Sequence, residues 1–123
     1  MKESTKVISD DEVVRRLGDG LPRWYLEDGQ ICRRYETSGW RATMLLANAV
    51  AHLSEAAFHH PCLILCYASA TVKLTTHSAS GITDKDFALA EKIESLIMWQ
   101  PRWEETALTG APEEGPHQYI KYR

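Results

Sequence analysis

The stretch Glu55-Ala56-Ala57-Phe58-His59-His60-Pro61 sets two adjacent histidines four and five residues after a carboxylate. Imidazole, with an ordinary pKa of about 6.5, gives or takes a proton near neutrality. At a helix end the last carbonyls favour its charged form. Four-residue helical spacing sets Glu55 against His59, so that the carboxylate orients the ring; a weak exposed pair fits the same spacing. The simpler reading is that His59 and His60 complement the helix dipole and face water. A third histidine, His77, precedes Ser78-Ala79-Ser80-Gly81, a small-residue loop suited to a pocket rim, although a solvent-facing residue is the default there. Asp86 follows Thr83 by three residues, the spacing of a capping box, and on spacing alone that role prevails. His52 and His117 have no such setting and read as surface residues.

Other chemistries find less support. Cys62 and Cys66 lie close to His59 and His60 in the sequence. On a strand, however, the two thiols stand about 13 Å apart, at about 3.3 Å per residue. One zinc ion needs its ligands within about 2.3 Å, so no metal site is expected, and both cysteines read as small buried hydrophobes. There is no G-x-S-x-G elbow, no P-loop and no G-x-G-x-x-G. Cys32 has no identifiable activating base.

The elements that must position the histidines follow from periodicity. Ser9-Asp10-Asp11-Glu12 caps a short helix carrying Val13, Val14 and Leu17 and ending near Gly18-Asp19-Gly20. Asp28-Gly29 predicts a hairpin between strands near 23–27 and 30–36. Residues 40–58 form a helix with a stripe of Leu46, Val50, Leu53 and Ala57, widened by Trp40, Met44, Ala47 and Ala51, that stops before Pro61. Cys62–Tyr67 reads as a strand and Ala68-Ser69-Ala70 as a turn. Thr71–His77 is an alternating strand, with Val72 and Leu74 on one side and Lys73, Thr75 and His77 on the other. Thr83 opens a last helix with Phe87, Ala90, Ile93 and Ile97 on one side. Residues up to about Val7 read as loose, and residues 101–123 as an irregular tail. The order is α-β-β-α-β-β-α, an α+β layout.

Composition narrows the function classes. The chain has 123 residues, 44% hydrophobic and 25% charged, which suits one folded domain. Its net charge of −3 argues against a basic nucleic-acid or anionic-membrane surface. No apolar run approaches the roughly 20 residues that span a bilayer. Met1–Lys6 lacks the apolar core of a secretory signal. Three cysteines without a framework spacing suit reduced thiols, hence a cytoplasmic location.

The pattern Glu55-x3-His59-His60-Pro61-x5-Tyr67-x9-His77-x8-Asp86, with Thr76-His77-Ser78-Ala79-Ser80-Gly81-Ile82-Thr83, resembles the signature of the pterin-4a-carbinolamine dehydratase family. Trp24, Asp28-Gly29 and Phe87-Ala88-Leu89-Ala90 fit as well, and the domain so outlined covers residues 8–100. The resemblance implies a four-stranded antiparallel sheet with three helices on one face, assembled as a homodimer or homotetramer. It implies dehydration of 4a-hydroxytetrahydrobiopterin to quinonoid dihydrobiopterin without metal or organic cofactor. His59 and His77 would then form the acid–base pair, and His60 would bind and orient the pterin. Pro61, Thr76, His77, Ser78 and Ala79 would line the pocket, Trp24 would cover the ring, and Glu55 and Asp86 would steer the histidines. The family usually has an acidic residue where Cys62 stands, and often an aromatic one at Leu63. The 101–123 extension, with Met98-Trp99-Gln100-Pro101 before it, is similar to that of pterin-dehydratase-like rubisco assembly factors encoded with α-carboxysomes. That likeness implies an alternative: a carboxysome-associated chaperone whose partner is rubisco.

Overall fold

Polar caps start two of the three helices. The computed structural model describes residues 6–123; Met1–Thr5, part of the stretch expected to be loose, lies outside the described residues. The end of that stretch is held in place: Val7 lies against Gly81, and the N–H of the next residue, Ile8, donates to the Ile82 carbonyl. Ser9 accepts the Glu12 N–H and opens α1 (Asp10–Gly20), which buries Val13 and Leu17 but leaves Val14 exposed. Thr83 and Asp86 cap α3 (Asp84–Ile97) reciprocally, and its buried face carries Phe87, Ala90, Ile93 and Ile97 as the periodicity predicts. Between them α2 (Trp40–Ala57) buries Leu46, Ala47 and Val50, whereas Trp40, Ala51 and Ala57 are exposed and so fall outside the expected stripe.

The sheet comprises β1 (Tyr25–Glu27), β2 (Gln30–Glu36), β3 (Cys62–Cys66) and β4 (Ser69–Leu74), all antiparallel, in the order β1-β2-β4-β3. Asp28 and Gly29 both have positive φ, as the tight β1–β2 turn requires. Ile31, Arg33 and Tyr35 lie opposite Leu74, Val72 and Ala70, and this buried face meets the helices. The fold is therefore α+β, in the predicted order. Two details differ. The β3–β4 turn is the two residues Tyr67-Ala68, with Ser69 already in the strand; and β4 stops at Leu74, so His77 lies beyond it in a single 3₁₀ turn, His77–Ala79.

Cys62 and Cys66 also differ from expectation, being exposed. They alternate with Leu63 and Leu65 and project from the side of β3 that no helix covers. The tail holds no helix, yet it is anchored. Ser38 N–H donates to the Tyr119 carbonyl and Lys121 N–H to the Glu36 carbonyl, pairing Thr37 with Ile120. Ile120 is only 8% exposed and belongs to the core. Ile120→Ala is therefore expected to lower the unfolding free energy by about 2 kcal/mol or more, read from urea melts. An unchanged midpoint would show that the tail contributes nothing to the fold.

Candidate active site

Asp86 organises the site from the first turn of α3, where it is fully buried. Its Oδ2 accepts the Thr83 N–H at 2.9 Å and the Thr76 hydroxyl at 2.7 Å; its Oδ1 accepts Nε2–H of His59 at 2.6 Å. Thr76 and Thr83 also share a hydrogen bond. Capping and steering, alternatives in the sequence, are thus two oxygens of one carboxylate doing both. An amide at position 86 would offer a single acceptor oxygen and could not serve both sets.

His59 reaches Asp86 because α2 ends sharply. Phe58 adopts the left-handed conformation, φ 52°, and the His59 N–H bonds back five residues to the Ser54 carbonyl. The turn takes His59 off the helix face, so Glu55 does not meet it. Glu55 pairs instead with Nε2 of His60 at 2.9 Å, in an exposed position. Because a carboxylate only accepts, the His59 proton sits on Nε2, and Nδ1 is left to exchange protons. Its side chain is 15% exposed.

Thr76 and Gly81 exchange backbone hydrogen bonds, closing the 77–80 loop at its base. A side chain at Gly81 would drive a Cβ to 2.8 Å from Val7, which accounts for the glycine. His77 therefore follows directly on the residue that holds the second oxygen of Asp86. Asp86 thus bonds the His59 ring and the Thr76 hydroxyl, while the side chain of His77, 18 positions after His59, is exposed and makes no bond to it.

Other predicted residues fall elsewhere. Thr76 is buried with its hydroxyl committed to Asp86 and Thr83, so it positions rather than lines. Pro61 and Ala79 are half-buried, and Ser78 is exposed. Trp24 is 3% exposed, its indole N–H donating to Glu94 at 2.9 Å, so covering a ligand would require it to leave the core. A cavity of about 290 Å³ beside His59 is walled by Phe58, Lys85, Ala88, Leu89 and Lys92. Lys85 and Lys92 were missed by the sequence reading; their spacing on α3 put them on one face, but nothing there pointed to His59. Neither His60 nor His77 lines this cavity. Two larger clefts, about 480 and 460 Å³, lie under the tail around Tyr119 and Tyr122 and contain no histidine. Among the described residues no group of three or more His, Cys, Asp or Glu side chains could hold a metal ion, and no helix is long and apolar enough to cross a membrane.

An antiparallel sheet backed by helices, with a histidine held by a buried carboxylate where two helix ends meet, defines an α+β protein of one fold family. Residues 6–96 match the family described as Pterin 4 alpha carbinolamine dehydratase, and the chain belongs to that family. A protein of Aquifex aeolicus (strain VF5), described as "Putative pterin-4-alpha-carbinolamine dehydratase", is 40% identical over 90 residues, 73% of this chain and 90% of that protein. A protein of the same description from Chloroflexus aurantiacus (strain ATCC 29366 / DSM 635 / J-10-fl) is 38% identical, covering 73% of this chain and 96% of its own length. Among solved structures, the crystal structure of the transcriptional coactivator/pterin dehydratase from Brucella Melitensis superposes with a TM-score of 0.67 at 26% identity, covering 74% of this chain and 98% of that one. The matched region stops short of the 101–123 extension.

Proposed function

We propose that this protein is a 4a-hydroxytetrahydrobiopterin dehydratase. The reaction breaks a carbon–oxygen bond at the 4a position, where the hydroxyl leaves as water, while a ring N–H loses its proton and the carbon–nitrogen double bond of quinonoid dihydrobiopterin forms. One group must donate a proton to the leaving oxygen and another must accept the ring proton; each such contribution amounts to about 10²–10⁴-fold. His59 and His77 divide these roles. The observation that carries the reading is the His59–Asp86 bond, which leaves Nδ1 of a nearly buried imidazole as the exchanging atom beside a cavity. At about 290 Å³ the cavity is near the lower end of small-molecule sites, about 300–1,000 Å³. His60, held by Glu55 at the surface, and Ser78, also exposed, serve as further pterin contacts in this reading. Lys85 and Lys92, which also line the cavity, add positive charge to it.

The test is turnover. Chemically generated carbinolamine is followed by its absorbance with and without the protein at neutral pH. The expected result is accelerated dehydration; a rate equal to that in buffer overturns the reading. One observation favours the rubisco-assembly alternative: Trp103, Trp99 and Leu108 of the extension and the residues leading to it remain exposed although the tail is anchored. Absent turnover together with lower recovery of soluble rubisco when residues 101–123 are deleted would select it.

A further inference from the structure

The exposed strand β3 reads Cys62-Leu63-Ile64-Leu65-Cys66, the same forwards and backwards about Ile64. It lies at one edge of the sheet, with β4 on one side only. Nothing in it protects that edge: the five residues carry no charge and no proline. Ile64 is 44% exposed between two exposed cysteines.

Thr37 N–H donates to the Ala68 carbonyl, so the polar groups of Ala68 face β2 and those of Ser69, one residue on, face β3. Ser69 is the partner of Cys66, so Cys66, Ile64 and Cys62 spend their N–H and C=O groups on β4. Those of Leu63 and Leu65 point to the open edge, and no other hydrogen bond to them occurs among the described residues. A second copy laid antiparallel about Ile64 therefore matches Leu63 with Leu65 in both directions as hydrogen-bonded pairs. Cys62 then faces Cys66 of the other copy in a non-hydrogen-bonded pair, where Cα atoms stand about 4.5 Å apart. That falls within the roughly 4.4–6.8 Å a disulfide accepts. Within one chain the same two cysteines, at about 3.3 Å per residue over four residues, are too far apart to bond.

Where two copies of this chain meet along β3, we propose that the pair is locked by two reciprocal disulfides, Cys62 to Cys66, when the thiols meet a peroxide. For each bond a thiolate attacks the O–O bond of hydrogen peroxide, giving a sulfenic acid and, after protonation, water. The facing thiolate then displaces hydroxide from that sulfur, which leaves as a second water. Two thiols lose two electrons and two protons, and one peroxide becomes two waters. Reduction by a dithiol reverses the lock. Cys32 takes no part, since it is buried.

The full-length protein, reduced and then treated with hydrogen peroxide, is run on non-reducing gels and weighed by intact mass spectrometry. Wild type is expected to give a covalent dimer lighter by four hydrogens than two reduced chains, reverting with dithiothreitol. Cys62→Ser alone and Cys66→Ser alone are expected to stay monomeric, because each residual thiol faces a serine. A mixture of the two variants is expected to cross-link through one disulfide. Both positions are exposed, so folding is not at risk, and circular dichroism checks it. A wild type that stays monomeric, a single variant that cross-links by itself as well as wild type, or a mixture that fails to cross-link each overturns the proposal. None of these outcomes depends on whether the protein turns over a pterin.

Discussion

His59→Ala is expected to lower kcat for carbinolamine dehydration by about 10²–10⁴-fold, the ordinary worth of one positioned proton-transfer group. His59 lines a cavity and has its tautomer set by a buried carboxylate. Removing it leaves the Asp86 bonds to Thr76 and Thr83 in place, so the caps of α3 and the 77–80 loop persist. The loss should therefore appear in kcat, while the thermal midpoint moves little. The same substitution at His60 provides the internal comparison: its partner Glu55 is at the surface, and its expected loss is in KM. Steady-state kinetics of both variants against wild type check the assignment. If His59→Ala retains kcat within twofold, the acid–base role belongs to another residue.

How much of this was legible in the sequence depends on the range of the interaction. Helix and strand positions follow from apolar periodicity, a local property, and α1, β2, α2 and α3 lie where their periods put them. Asp28-Gly29 announced its turn because positive φ is demanded there and few residues tolerate it. The failures come where one residue's backbone redirects its neighbours. Phe58 is not a residue whose type signals a left-handed turn, yet its φ decides that His59 meets Asp86 and His60 meets Glu55. The alternation through Thr71–His77 hid the end of β4, because Thr76 is buried for its hydroxyl and not for apolar surface. Cys62 and Cys66 were misplaced because burial of a strand depends on the order of strands in the sheet, which periodicity does not contain. The tail looked irregular and is; that it is anchored depends on one long-range pairing, Thr37 with Ile120.

The second large effect concerns a half-buried group that the chemistry does not use. Glu94 of α3 accepts hydrogen bonds from Trp24 Nε1 at 2.9 Å, Arg33 Nε at 2.9 Å and Tyr35 OH at 2.7 Å on one oxygen, and from Arg33 Nη2 at 3.2 Å on the other. Arg33 is 4% exposed and Glu94 24%, so the pair ties β2 to α3 with the guanidinium buried and the carboxylate half-buried. Burial alone pushes the Glu94 carboxyl up, but the bonds from Arg33, Tyr35 and Trp24 outweigh it and hold its pKa below the usual carboxylate range. Burial and the neighbouring carboxylate push the Tyr35 phenol up, so it stays protonated as a donor. Removing the acceptor strands a buried guanidinium together with an indole N–H and a phenol. Glu94→Ala is therefore expected to cost about 3–5 kcal/mol, and the double change Arg33→Met with Glu94→Leu to recover a large part of it. The pH dependence has a definite sign. A carboxyl whose folded-state pKa is lowered stabilises the fold above its unfolded pKa of about 4.3, and that contribution disappears as pH falls through the folded value. Urea melts from pH 7 down to pH 3 should show wild type losing stability below about pH 4.3 more steeply than the double variant, which has no carboxyl at position 94. Parallel curves for the two proteins, or a Glu94→Ala midpoint equal to wild type, would show that the cluster is satisfied by water and does not hold the sheet to the helix.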